Sequence, residues 1–246
     1  MIESGALDVT IVIPAFNEVN RLPKTLSSLI EWVTHRTEQF EIIVVDDGST
    51  DNTSDLAKSY PSVFFEVLSK NAGKGAAVRR GMLLAKGDYV LMMDADLATP
   101  MSEFDLLFGA IVAGADVAIG SRPLRTSTLS VRQPIAREFA GRVFNFIVRL
   151  VSGLPCRDTQ CGFKLWRSAV AKDCFGRCNI NGFAFDVESL VVAKALGYAI
   201  REVGVKWAHQ PGAAAFGSAA SYLRHAARMI IDTIVIRWNH RATRRV

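Results

Sequence analysis

The chain has no uninterrupted apolar run near the ~20 residues needed to span a bilayer. The nearest, residues 106–115, stops at Asp116. No secretory signal opens it, because residues 1–8 carry an acid at position 3 and lead straight into a strand-like run. These absences argue against a membrane-spanning or exported chain and place it in the cytoplasm. Internal repeats and low-complexity tracts are missing, which excludes repeat architectures. Cysteine is scarce: Cys156, Cys161, Cys174 and Cys178 are the only four. Their C-x4-C and C-x3-C spacings lack the tight paired knuckles of zinc ribbons, so reduced, partly buried thiols are expected. No nucleic-acid reader motif is present, and no nucleic-acid partner is expected. The charge excess is small, +5 from 29 basic and 24 acidic residues. It is uneven, however: residues 237–246 hold four arginines and no acid. Such a tail suits an anionic surface, or it is a solvated, frayed end.

Half of the 246 residues are apolar, enough for a sizeable core. Up to residue 120 the pattern alternates. Strands are predicted over residues 9–14, 41–45, 63–68, 89–93 and 115–120, with helices over 22–33, 51–60, 76–85 and 101–114 between them. In the first helix Leu22, Leu26, Leu29, Ile30 and Val33 share one face. Ser49 or Thr50 is available to cap the second. This alternation predicts an α/β fold with a mostly parallel central sheet and helices on both faces. Residues 124–133 read as a loop. Residues 138–151 form an amphipathic helix with Phe139, Val143, Phe146, Ile147 and Leu150 on one stripe. A mixed segment follows to about residue 207, then a Gly/Ala-rich loop. A C-terminal helix from about residue 218 carries Leu223, Ala227, Ile230, Ile234 and Trp238 on its apolar stripe. The division expected is 1–217 as one domain, with halves 1–120 and 121–217, and 218–246 as an amphipathic basic helix.

Two acidic signatures close apolar strands: Asp46-Asp47-Gly48-Ser49 and Asp94-Ala95-Asp96. Carboxyl ends of strands in open α/β sheets face the ligand crevice. Asp94 and Asp96 are two apart, so extended backbone would point them the same way. Two hard oxygen ligands suit a divalent cation, and that cation suits a diphosphate. Gly73-Lys74-Gly75 opens a helix after a strand and partly mimics a dinucleotide fingerprint. Val78 stands where the third glycine belongs, and the motif follows the third strand rather than the first. The turn still suits a phosphate on backbone N–H groups, with Lys74 adding charge. After the first strand, Pro14-Ala15-Phe16-Asn17-Glu18 offers a ring to pack on a base and a carboxylate to accept from it. Glu18 also suits a plain helix start.

In this order, these motifs resemble family 2 glycosyltransferases of the GT-A nucleotide-sugar-binding fold. Gly120-Ser121-Arg122 and Asp158-Thr159-Gln160-Cys161-Gly162-Phe163-Lys164 narrow the resemblance to polyprenyl (dolichyl) phosphate hexosyltransferases, nearest the glucosyl branch. The resemblance covers residues 9–207. It implies that Pro14, Phe16, Glu18, Asp46, Asp47 and Lys74 lie around the nucleotide. It also implies that Asp94 and Asp96 flank the diphosphate and hold Mg2+ or Mn2+, with Gln160 completing the metal shell. An acid in the 182–188 segment would face the reacting centre, Asp186 first and Glu188 as fallback. Asp158 would serve metal or acceptor. Ala98 departs from the mannosyl branch, which reads Gln there. Relatives with C-terminal membrane anchors add two or more spans, which this chain lacks.

The activity implied is inverting transfer of a hexose, glucose from UDP-glucose, onto a polyprenyl monophosphate at the cytoplasmic membrane face. Alternatives are GDP-mannose as donor, a sugar or protein hydroxyl as acceptor, and a non-catalytic nucleotide-sugar sensor. A phosphate acceptor is already anionic, with a second pKa of about 6, and needs cationic guides more than a base. Arg122 is the first choice as guide and Arg142 the second, with Ser121 and Lys164 beside them. Arg125, Arg132 and Arg137 lie in the same stretch. The 138–151 helix either lies on lipid or packs into the core. His209 precedes the Gly/Ala-rich loop and is either structural or near the diphosphate. Peripheral membrane contact and a membrane-protein anchor are the further partners expected.

Overall fold

A computed structural model describes residues 8–124, 126–131, 135–208 and 219–241. Strands β1 (Val9–Ala15), β2 (Phe40–Asp46), β3 (Phe64–Val67), β4 (Tyr89–Met93), β5 (Val117–Ser121), β7 (Phe163–Arg167) and β8 (Ile200–Gly204) form one seven-stranded sheet in the order β3-β2-β1-β4-β7-β5-β8. Strands β6 (Thr128–Val131) and β9 (Lys206–Ala208) pair separately and in parallel. The helices are α1 (Leu22–Thr34), α2 (Lys74–Leu84), α3 (Phe104–Val112), α4 (Ile135–Ser152), α5 (Ser168–Phe175), α6 (Phe185–Ala195) and α7 (Ala219–Asn239).

The apolar runs form strands because both faces of the sheet are covered. Every residue of β1 is buried, and its β-branched side chains suit a pleated, fully buried surface. Ile11 and Ile13 point to one face with Leu91, where Leu22, Leu26 and Leu29 of α1 and Phe104 of α3 pack. Val12 points to the other, with Val90, Met82 of α2, Val170 of α5 and Leu190 of α6. Full burial of each such side chain contributes about 1.5–3 kcal/mol. Pro23 opens α1, where its missing N–H is one the helix leaves unpaired anyway.

The predicted mostly parallel sheet is present, with one reversal that matters for the site. Strand β7 inserts antiparallel between β4 and β5, pairing Met93 with Phe163 and Ile119 with Lys164. Three local expectations are corrected. The helix expected over 51–60 is a 3-10 helix, Ser54–Ser59, with no side-chain cap. The hydroxyls of Thr53 and Ser54 bond back to Asp51 and Asp46 instead. The loop expected over 124–133 contains β6, which finds its partner in the distant β9. Of the 101–114 helix, residues Met101–Glu103 are a 3-10 turn.

The C-terminal helix packs on α4 and α6. Its buried seam is Met229, Thr233, Ile236 and His240. The stripe read from sequence lies on the other side: Ile234 and Trp238 are exposed. No helix among the described residues is long and apolar enough to cross a membrane.

Candidate functional site

The loops after β1, β2 and β4 meet at the carboxyl edge of the sheet. The loop after β1 is laced to the loop after β2. Asn17 N–H donates to Ser49 Oγ (2.9 Å), Thr50 N–H to Asn17 Oδ1 (2.9 Å) and Glu18 N–H to Thr53 Oγ1 (2.9 Å). Asn17 adopts φ 56°, a left-handed conformation that asparagine tolerates. Phe16 is left exposed at the rim, and the Glu18 carboxylate forks the guanidinium of Arg21.

Asp46 and Asp47 hold this edge from beneath. Asp46 is fully buried and accepts from Ser49 N–H (3.0 Å) and from the hydroxyls of Ser49 and Ser54. Asp47 accepts from the N–H groups of Ala72 (2.8 Å) and Gly73 (2.9 Å). This fixes the turn that opens α2. Gly73 has φ 107°, and a Cβ there would sit 2.4 Å from the Asn181 carbonyl oxygen. The Gly-Lys-Gly turn is therefore pressed against the segment that leads into α6.

Strand β4 ends at Met93, so Asp94 follows the strand and Ala95–Asp96 form a turn rather than extended backbone. Thr25 Oγ1 pins the turn by donating to the Ala95 carbonyl (2.6 Å). Leu97 is held at φ 53°, a conformation that costs a residue with a Cβ about 1–2 kcal/mol. Ala98 N–H donates to Asp96 Oδ1 (3.0 Å), and the Ala98 carbonyl accepts from Ala208 N–H in β9 (2.8 Å). Both carboxylates are half-buried. Burial and the adjacent Asp94 charge push the Asp96 carboxyl above the ordinary aspartate range, outweighing the Ala98 N–H, Arg21 and Lys74. A small cleft lined by Asp94, Leu97, Ala98, Thr99, Gly162 and Trp207 opens beside them.

The reversed strand β7 delivers the second motif to this place. Asp94 N–H donates to the Gly162 carbonyl (3.1 Å). A Cβ on Gly162 would lie 1.9 Å from Asp94 Oδ2, so only glycine leaves room for the carboxylate. Lys74 Nζ reaches Asp94 Oδ1 at 2.6 Å. Burial disfavours its charge, but Asp94 and Asp186 prevail and raise its pKa, so it stays cationic.

The acceptor-side residues are arranged differently from expectation. Arg122 forks Asp158, Nε to Oδ2 at 2.6 Å and Nη2 to Oδ1 at 2.8 Å, and stacks 5.5 Å from the Trp207 ring centre. Asp158 is wholly buried; burial opposes its charge, yet Arg122 holds the carboxyl below the ordinary range. Lys164 is buried too, pairing with Asp186 and donating to the Cys161 carbonyl (2.6 Å). Ser121 Oγ donates to Glu202 (3.0 Å), which also accepts from Asp158 N–H (2.8 Å). Arg122, Lys164 and Ser121 each bind a carboxylate of the protein itself, and Arg122 keeps part of its guanidinium exposed. Gln160 donates its amide to Met229 Sδ on α7 (3.0 Å). Asp186 lies in the first turn of α6; burial lifts its pKa despite Lys164 and Lys74. Glu188 accepts from Asn179 N–H, Ile180 N–H and His240. The side chains of Arg132, Arg137 and Arg142, together with Arg125 and His209, lie outside the described residues. The four cysteines are buried free thiols, as expected.

Sequence reading missed Gly162 as the floor under Asp94, Thr25 as the pin of the acidic turn, and Trp207 as the cleft wall. Thr25 had a visible signal, a hydroxyl on the apolar face of α1. Among the described residues no three His, Cys, Asp or Glu side chains converge on a metal position. Asp94 and Asp96 offer hard oxygens only, and Lys74 and Arg21 offset their mutual repulsion only in part. That fits Mg2+ or Mn2+, which take one or two carboxylates and fill the remaining positions with substrate phosphates and water.

Comparison with known proteins agrees with this geometry. Residues 10–175 match the family model described as "Glycosyl transferase family 2". The chain is 36% identical over 220 residues to a dolichyl-phosphate beta-glucosyltransferase of Dictyostelium discoideum, covering 83% of this chain and 67% of that one. It is 32% identical over 251 residues to the Saccharomyces cerevisiae protein of that name, covering 93% and 74%. Thus it spans roughly two thirds to three quarters of these relatives' length. Among solved structures it superposes on Mycobacterium tuberculosis glucosyl-3-phosphoglycerate synthase in complex with Mn2+, UDP-glucose and phosphoglyceric acid. The TM-score is 0.68 at 22% identity, over 96% of this chain and 80% of the other. That likeness establishes the shared GT-A fold.

Proposed function

Starting from the fact that the chain belongs to glycosyl transferase family 2, we propose that it transfers glucose from UDP-glucose onto a polyprenyl (dolichyl) monophosphate, with inversion, at the cytoplasmic membrane face. The names of its relatives support this acceptor and sugar. The observation that carries the chemistry is the half-buried Asp94–Asp96 pair at the sheet edge, with Lys74 at 2.6 Å. Asp94 and Asp96 would hold a divalent cation, which when bound supplies Lewis-acid stabilisation of the departing diphosphate. Gln160, whose amide donates to Met229 Sδ, would complete that shell through its carbonyl oxygen.

Lys74 places a positive charge at the start of α2; the N–H groups of Ala72, Gly73 and Gly75 there already donate to Asp47 and the Asn181 carbonyl, so the attraction for phosphate rests on the Lys74 ammonium. Phe16 stands at the rim to cover the base, and the laced loops after β1 and β2 shape its pocket. The acceptor phosphate oxygen attacks the anomeric carbon, the bond from that carbon to the UDP oxygen breaks, and UDP leaves. No proton has to be removed from a phosphate already ionised, so no free base is required. Asp186 is held by Lys164 and orients the donor sugar from the wall of the site. Within the acceptor half, residues 121–217, the Arg122–Asp158 fork ties the end of β5 to the loop that leads into β7. With Arg122 and Lys164 committed to carboxylates, Arg142 is the guide for the acceptor phosphate.

The test is a radiolabelled-donor assay with a prenyl phosphate. Label from UDP-glucose should enter the organic phase, and Asp96→Ala should abolish it with the fold retained. Label appearing only in a water-soluble product would favour a hydroxyl acceptor and refute the reading.

A further inference from the structure

Helix α7 has two apolar faces. Its inner seam is fixed to the body: His240 pairs with Glu188 on α6, Met229 receives Gln160, and Arg237 donates to the Val151 carbonyl at the end of α4 (3.0 Å). Its outer face bears Ile231, Ile234, Val235 and Trp238, all exposed, at spacings that align them on one side of a helix. The neighbouring α4 likewise leaves Phe146 and Leu150 exposed, one turn apart. Leu150 is 72% and Trp238 68% exposed, unusual for side chains of this size on a fold with a full core.

The surrounding charge is of one sign. Residues 219–246 contain six arginines and a single acid, Asp232, which pairs with Arg228. Arg224 and Arg241 are exposed, and the Arg241 guanidinium lies 4.5 Å from the Trp238 ring centre. An apolar stripe with a Trp and a cationic border matches the headgroup region of an anionic bilayer. A second copy brought onto this face would set arginine borders against each other.

We propose that the outer faces of α4 and α7 form a docking surface for an anionic phospholipid bilayer. The six apolar side chains enter the headgroup–acyl boundary, and the α7 arginines meet lipid phosphates. This deepens the proposed function and rests on it for the presence of a lipid-borne acceptor. The inner seam ties the surface to α6, which carries Asp186, and to the loop that packs on Asp94. Docking therefore sets the site at a fixed height above the lipid.

The test is flotation of the full chain with vesicles of phosphatidylcholine alone or with phosphatidylglycerol. The wild type should bind the anionic vesicles more tightly. Leu150→Ser/Ile234→Ser/Trp238→Ser should lose ~30-fold or more in partitioning, with UDP binding by calorimetry unchanged as the sign of an intact fold. Arg224→Gln/Arg228→Gln/Arg241→Gln should lose ~10-fold and the preference for anionic lipid. Wild-type partitioning by the triple-serine variant overturns the proposal. So does a wild type that ignores both vesicles yet forms a dimer, in sedimentation velocity, that this variant abolishes. Vesicle binding as predicted with no glucosylated lipid formed would refute the proposed function and leave the surface standing. Glucosylation of a detergent-dispersed acceptor without vesicle binding would do the reverse.

Discussion

Gly162→Ala separates the placement of Asp94 from the stability of the fold. The added methyl would lie 1.9 Å from Asp94 Oδ2, 2.2 Å from Cγ and 2.6 Å from Oδ1. Ordinary contacts begin at 3.4 Å, so the carboxylate must retreat by about 1.5 Å. The nearest atoms all belong to a rotatable side chain, so the backbone has no need to give way. A reacting group displaced by ~1 Å costs on the order of 100-fold in rate, about 2.7 kcal/mol of transition-state stabilisation. Stability should hardly change: glycine-to-alanine effects of about 0.4–1 kcal/mol correspond to a few degrees in the thermal midpoint. The assay is the initial rate of label transfer from UDP-glucose to a prenyl phosphate, beside a thermal melt. Gly109→Ala on α3, where a Cβ meets nothing within 4 Å, is the control and should keep full activity. A Gly162→Ala enzyme with wild-type rate and melting would refute the reasoning, as would inactivity that merely tracks a collapsed melting temperature.

Arg122→Ala leaves the buried Asp158 carboxylate without its cation and should cost about 3–5 kcal/mol in urea denaturation; a loss under ~1 kcal/mol would contradict the buried fork. Burial works against the Glu188 charge, but His240 and the backbone N–H groups of Ile180 and Asn179 outweigh it and hold its pKa low. A depressed acid contributes stability that is present above its unfolded value and lost as pH falls through its folded value. Glu188→Gln should therefore destabilise the protein at pH 7 and flatten the acid limb of stability below the ordinary glutamate range; an acid limb as steep as the wild type's would contradict the role. Burial pushes Cys156 up to about 11 and Cys161 and Cys174 to about 12, so alkylation at pH 8 should be slow until denaturant is added. Rapid native labelling of these thiols would contradict their placement.

Strands β1, β2 and β4 were legible because each is a buried apolar run ended by turn residues, a local property. The faces of α1 were legible for the same reason. The position of β7 was not, since strand order depends on pairing between segments far apart in the chain. Of the hydroxyls expected to cap the 51–60 helix, Ser49 bonds Asp46 and Thr50 bonds Asn17 in the loop after β1, a partner sequence does not display. At the site, Asp94 and Asp96 were readable as carboxylates after a strand. The carboxylate partners of Arg122 and Lys164 were not legible, because sequence displays a cation without its partner. Those partners, Asp158 and Asp186, lie 36 and 22 residues away.

The central claim is that Asp94 and Asp96 bind the donor diphosphate through a divalent cation. Titration calorimetry of UDP with and without Mn2+ tests it most directly. The wild type should bind UDP at least ~10-fold more tightly with Mn2+, about 1.4 kcal/mol, and Asp96→Ala should lose that increment. Equal UDP affinity in Mn2+ and in excess chelator would contradict the account.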